Sequence, residues 1–364
     1  MFTPLYGSEG YAPSTHVGFE KVIWAMYALD CARQIRSLIK NLPIGDEEAR
    51  KMAEIHENRL TKPSGSLGRL ENIVGWTSQW QGCHPPSAED IQIIVFAANH
   101  GVTVHRISAF PSTVTKQMVE NFKAGGAAVN QLSRSLEASL KIVPLALEEP
   151  TEDITKGAAL DSEGYSKAWN AGINSVDSSG DLVCLGEMGI GNTSIAAALC
   201  AALFGGTAVD WVGSGTGIDK EGLLRKIKVI DTALYLHRDS SDDPLELLRC
   251  LGGREFVAIV GAILSARLAR IPVILDGYAC TAAAAVLYAI KPDTIDHCLV
   301  AHKSAEPGHS KLLKAIDKEP LFDFSLRLGE ASGAAIAAGI LKTAVAIHNG
   351  MSTFKDANVS GPES

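Results

Sequence analysis

From residue 91 onward, short apolar runs rich in β-branched residues alternate with segments of helical length. The runs are IQIIVFAANHG, LKIVPLALEE, DLVCLGEMGIGNT, AVDWVGSGTG, IPVILDGY and HCLVAHKSAEPGH, each ending in a polar or Gly-rich loop. Continuous apolar strands separated by helices predict an α/β fold: a parallel sheet flanked by helices on both faces. Ligands of such sheets bind beyond the carboxyl ends of the strands, and the Gly, Asp, Glu, His and Ser residues gather at those ends. Ahead of the runs the period is helical: Phe19, Val22, Ile23, Met26 and Leu29, then Ile35, Leu38 and Ile39. Further helices are predicted from Asp46 to Arg59, from about Leu67 after the KPSGS turn, and from Ser332 to Asn349, and the polar tail beyond is expected to fray.

Composition narrows the function. Lys+Arg 33 against Asp+Glu 41 leaves a net charge of −8, which argues against a nucleic-acid surface. With 46% hydrophobic and 20% charged residues, the chain is that of a packed protein rather than a disordered one. Arg267, Arg270, Lys342, Thr207 and Asp210 break the apolar stretches short of the roughly 20 residues a membrane span needs. The start, MFTPLYGSEGYAPSTH, lacks the cationic and apolar regions of a signal peptide. The 7 cysteines form no CxxC pair, so reduced, buried thiols in a cytoplasmic protein are expected.

Several loops carry candidate chemistry. Gly186 to Thr193, GEMGIGNT, reads as strand, glycine turn and helix start, where backbone N–H groups and the helix dipole attract an anion. Gly186 and Gly191 have the separation of a nucleoside-triphosphate loop, but Asn192 stands where that loop needs Lys, which favours a monophosphate. The same residues also read as a turn capped by Asn192 or Thr193. GSGTGID, from Gly213 to Asp219, is expected to end another strand and does not match GxGxxG, which weakens a dinucleotide reading. Lys226 then offers charge to a phosphate or is simply solvated. Glu330, in RLGEASG ahead of an Ala-rich helix, is either a helix-start carboxylate or a general base with a raised pKa. His100, His105, His297, His302 and His309 fall in no metal-ligand spacing, so no metal is expected. SAEPGH, from Ser304 to His309, is a strand-end loop, and Asp242-Asp243 reads as a helix start rather than a pyrophosphate-donor motif.

Together, KPSGSLGRLE, NHGV, SAFPSTVTKQMVENFKAGGAAVN, GEMGIGNT, GSGTGID, LGGREF, DGY, SAEPGH and RLGE, in this order from Lys62 to Phe354, resemble one family. It is the nicotinate-nucleotide–dimethylbenzimidazole phosphoribosyltransferases of cobalamin lower-ligand synthesis. The resemblance implies a Rossmann-like catalytic domain over residues 88–334 and a small helical domain from residues 1–87 and 335–364, in a homodimer. It implies transfer of phosphoribose from nicotinate mononucleotide to dimethylbenzimidazole, inverting the anomeric carbon and using no cofactor. Glu330 is then the base and Glu187 the second carboxylate. Gly189, Gly191, Asn192, Thr193, Gly215, Lys226, Asp276, Gly277 and Ser304 would bind the nucleotide. Ser108, Phe110, Gln117, Met188 and Leu328 would hold the benzimidazole. Asn99, Lys303 and Ala331-Ser332 depart from the family pattern. Two rivals remain: a nucleotide-dependent oxidoreductase, and a non-catalytic nucleotide-binding regulator on the same fold.

Overall fold

Six strands form one parallel sheet: β1 Ile91–Ala97, β2 Ser139–Pro144, β3 Leu182–Met188, β4 Val273–Leu275, β5 Cys298–His302 and β6 Pro320–Phe322. They are seen in a computed structural model that describes residues 31–240 and 242–361, so the helical pattern over residues 19–29 lies outside the described residues. The strand order is β2-β1-β3-β4-β5-β6, and the chain's direction of progress along the sheet reverses between β1 and β3. At such a switch point the loops diverge and leave a crevice beyond the strand ends.

Successive side chains of a strand face opposite ways, and here both faces are apolar. Ile94 and Phe96 of β1 join Val183 and Leu185 of β3 in one core, under the helices Ser162–Ile173, Asn192–Phe204, Arg254–Leu268 and Tyr278–Ile290. Ile93, Val95 and Ala97 join Leu182 and Cys184 in the other, under Arg69–Gln81, Thr113–Ala124, Ala128–Leu136 and Ser332–Gly350. Small residues let these layers close up. A Cβ on Gly172 would overlap the Ala258 carbonyl of the facing helix, and Ala282 to Ala285 are fully buried.

Two expectations need correction, one strand was missed, and one open alternative is decided. AVDWVGSGTG is not a strand: Ala208–Trp211 is a short helix, capped by Thr207, whose backbone N–H donates to Asp210 Oδ2 at 2.7 Å. A reciprocal cap outweighs a brief apolar run. β6 escapes sequence reading because it starts with Pro and pairs with β5 at just two registers, as an edge strand permits. The tail does not fray through residue 359, because Phe354 N–H donates to Arg59 O and Thr353 bridges Leu60. Lys226 is buried rather than solvated, at 1% exposure. The predicted helices at 46–59 and 332–349 run Glu47–Glu57, with Asp46 as cap, and Ser332–Gly350.

Candidate active site

Loops from the carboxyl ends of β3, β4, β5 and β6, with the segment after β1, enclose a cleft of about 390 Å³. Its floor is the β3 turn, where Gly191 takes φ 95°, a left-handed conformation that favours glycine, and opens the helix Asn192–Phe204. The buried Thr115 hydroxyl accepts from Ile190 N–H at 3.2 Å and pins this turn to the neighbouring helix. Behind Gly189 lies a fully buried His100–Glu255 pair, 2.7 Å apart, which joins the NHGV and LGGREF segments. A Cβ on Gly189 would come within 3.0 Å of His100 Nε2, so the pair fixes how deep the turn can sit.

Glu187 ends β3 and Glu330 faces the same cleft from the loop after β6. Their main chains are joined, Glu330 N–H donating to Glu187 O at 3.1 Å. The loop turns sharply there, with Gly329, Glu330 and Ala331 all left-handed at φ 80°, 64° and 62°. For non-glycine residues this conformation costs energy and marks a turn held by its surroundings. Gly186 supplies the opposing surface, leaving no space for a Cβ against the Ala331 backbone.

Burial, and secondarily the Asp276 carboxylate, push the Glu330 carboxyl up to about 7. Glu187 is raised well above the ordinary carboxylate range by burial first, then by the charges of Asp276, Glu255 and Glu330, against an opposing hydrogen bond from Asn192 Nδ2. Asp276 is fully buried and does not line the cleft; it accepts from Ala334 N–H at 2.8 Å at the start of the last helix. Its role is therefore behind the wall, beneath the Glu330 turn, while Gly277 does reach the cavity.

On the other side, Lys226 Nζ donates to Thr193 Oγ1 at 2.8 Å and to Gly213 O at 3.1 Å. Burial lowers its pKa to about 8, with Glu306 pulling the other way. Gly215 N–H donates to Glu306 Oε1 at 2.9 Å. Gly189, Gly191, Asn192, Thr193, Gly215 and Ser304 all line the cleft, whereas Lys226 reaches it through Thr193. His309 accepts from Ser304 N–H at 2.9 Å and contacts Thr281 Oγ1 at 3.1 Å, which makes it a neutral strut for that loop. Burial lowers its pKa to about 3.

The benzimidazole candidates divide. Ser108, Phe110, Met188 and Leu328 line the cleft, with Ser108 Oγ 3.0 Å from Thr216 Oγ1. Gln117 does not: it is exposed on the helix Thr113–Ala124, and Val114 and Met118 take the cleft face. The helical phase of 114 and 118 is the signal that separates them from 117. Sequence reasoning also missed Tyr278, His302, Glu306 and Arg327, all of which line the cleft. Lys303 is exposed and paired with Asp323 at 2.9 Å, so its charge does not enter the cleft. Asn99 donates to Leu147 O at 2.8 Å. The histidines scatter: His105 goes to Asp153 and His297 to the Ile263 carbonyl. Among the described residues no group of three or more His, Cys, Asp or Glu is placed to hold a metal ion.

Known proteins match this arrangement over most of the chain. A family described as "Phosphoribosyltransferase" matches residues 42–359. The nicotinate-nucleotide–dimethylbenzimidazole phosphoribosyltransferase of Brucella canis is 54% identical over 325 residues, covering 89% of this chain and 96% of that protein. That of Brucella melitensis biotype 2 matches at the same identity and coverage. The crystal structure of the like-named enzyme from Thermus thermophilus superposes with a TM-score of 0.80 at 35% identity, covering 87% of this chain and 100% of that one.

Proposed function

We propose a reaction from one premise: the chain belongs to the nicotinate-nucleotide–dimethylbenzimidazole phosphoribosyltransferase family, and it is a phosphoribosyltransferase of cobalamin lower-ligand synthesis. The donor in this reading is nicotinate mononucleotide and the acceptor 5,6-dimethylbenzimidazole. The observation that carries the assignment of the base is Glu330, a cleft carboxyl with a pKa near 7, carried on a left-handed turn beside the glycine loop. A general base works best with a pKa near the operating pH.

The phosphate lies on the turn from Gly189 to Thr193, with Lys226 behind it and Ser304 opposite. The benzimidazole occupies the slot among Ser108, Phe110, Met188 and Leu328. Its unprotonated ring nitrogen attacks the anomeric carbon as the bond to the pyridinium nitrogen breaks. That electron pair stays on nicotinate, whose ring becomes neutral on leaving. The other ring N–H of the benzimidazole passes its proton to Glu330. Attack from the face opposite the leaving group inverts the carbon and yields α-ribazole 5′-phosphate. Glu187, raised well above the ordinary carboxylate range chiefly by burial, faces the same space and hydrogen-bonds the sugar. Two carboxyl groups in different surroundings thus take different roles. The reading extends to a homodimer acting in the cytoplasm, and light scattering at about the single-chain mass of 38.5 kDa would count against the dimer.

Incubation with nicotinate mononucleotide and dimethylbenzimidazole, followed by mass-resolved chromatography, tests the proposal. Equimolar nicotinate and ribazole phosphate are expected. Tight mononucleotide binding with neither product would replace the transferase by a nucleotide-binding regulator.

A further inference from the structure

Away from the cleft, histidines from three segments meet at the C-terminal end of the last helix. His348 lies near the end of Ser332–Gly350, His56 near the end of Glu47–Glu57, and His84 in the loop after Arg69–Gln81. Their ring centroids are 4.7 Å (His56–His348), 5.3 Å (His84–His348) and 5.5 Å (His56–His84) apart. The reaction proposed above uses none of them.

The bonding assigns the protons. His348 is 1% exposed, and its Nδ1 is bonded to Glu57 Oε2, while Glu57 Oε1 lies 3.1 Å from Lys62 Nζ. A carboxylate only accepts, so the His348 proton sits on Nδ1 and its Nε2 is an acceptor. His84 Nε2, 3.1 Å away, therefore donates to it. His56 Nε2 donates to the His348 carbonyl at 3.2 Å. The His84–His348 contact has room for one hydrogen. A single added proton is absorbed if His84 shifts its hydrogen to Nδ1 and His348 becomes the donor. With both rings charged, both facing nitrogens carry hydrogen and the contact breaks.

Little surrounds the cluster to offset such charge. The titratable groups facing His348 are Glu57, His56, His84 and Lys62, with Glu71 holding Lys62 at 2.6 Å. Glu57 is already shared with the Lys62 ammonium. Burial lowers the pKa of His348, against the bond to Glu57, and lowers that of His84, with the His348 and His56 charges adding to it. An unfolded histidine titrates near about 6.5, so below that pH the opened segment takes up more protons than the closed cluster, and acid favours opening.

We propose that these histidines form an acid-sensitive latch, which fastens the end of the last helix to Glu47–Glu57 and to the loop at 82–86 at neutral pH and releases it in acid. The bonds that cross the same junction would part with it: Asn349 Nδ2 to Pro86 O at 2.9 Å, Thr61 N–H to Ser352 O at 3.0 Å and Phe354 N–H to Arg59 O at 3.0 Å. The other end of the helix is held separately, by Asp276 at Ala334 N–H, so the release is local.

Amide hydrogen exchange at about pH 7.5 and about pH 5, expressed as protection factors to remove the intrinsic pH dependence, tests the latch. Protection of the Thr61 and Phe354 amides should fall by about tenfold or more at the lower pH, while that of β1 and β3 holds. His84→Gln keeps a donor for His348 Nε2 but cannot be charged, so it should shrink the fall to less than about threefold. Equal protection of Thr61 and Phe354 at the two pH values would overturn the proposal. So would a fall shared equally by β1 and β3, which marks general acid unfolding, or an undiminished fall in His84→Gln.

Discussion

Replacing Glu330 by Gln lowers turnover by about 10²- to 10⁴-fold, the range that a positioned acid or base supplies, while nicotinate mononucleotide still binds. The substitution keeps the size and the polar tip of the side chain, so the left-handed turn and the bond to Glu187 O remain. What it removes is the capacity to take a proton at neutral pH. The amide also removes the Glu330 charge from the causes that raise Glu187, while burial, Asp276 and Glu255 still hold it up. Steady-state kinetics with circular dichroism as a fold control read the outcome. Full turnover in Glu330→Gln would move the base elsewhere, with Glu187 the next carboxylate in the cleft.

The second large effect is expected at a residue with no chemistry of its own. Gly186→Ala places a Cβ where the backbone nitrogen and Cβ of Ala331 already sit, and within 2.5 Å of Ala331 Cα. Both partners are buried, one in β3 and the other entering the last helix, so neither yields cheaply. Overpacking of this kind costs about 1–3 kcal/mol of stability. The turn carrying Glu330 is forced off β3, and a displacement of about 1 Å at a reacting group can cost about 10²-fold in rate. Denaturant unfolding and turnover should therefore both suffer, with activity falling more than stability explains. A Gly186→Ala protein with normal activity would show that the close contact does not set the base.

Much of this was legible because the sheet is buried on both faces. Five of six strands announce themselves as apolar runs, and the glycine turn after β3 follows from spacing. The edge strand β6, at three residues, has too little pattern to read. The helix Ala208–Trp211 hides in an apolar run whose capping residues carry the information. At the site, Glu330 stood out by motif, but its φ of 64° did not, since nothing in RLGEA demands a left-handed glutamate. That conformation comes from tertiary fit against Gly186 and the Asp276-anchored helix start. The buried state of Lys226 was hidden for a related reason. Only the fold brings Thr193 and the Gly213 carbonyl to its ammonium. Arg327 and Glu306 come together through Gly215, from three separate loops, a convergence no local spacing encodes.

A buried carboxyl tuned to near neutrality, accepting the benzimidazole proton, is tested most directly by the pH dependence of kcat/KM. The substrate varied is nicotinate mononucleotide, with dimethylbenzimidazole saturating. A base must be unprotonated, so activity should fall tenfold per pH unit below about 7 and level off above it, following the raised Glu330 carboxyl. The same limb should be missing from the residual activity of Glu330→Gln, which separates it from ionisation of the substrate. A profile that stays flat from about pH 5 to about pH 9, or an acid limb that persists unchanged in the variant, would contradict the assignment of Glu330 as the base.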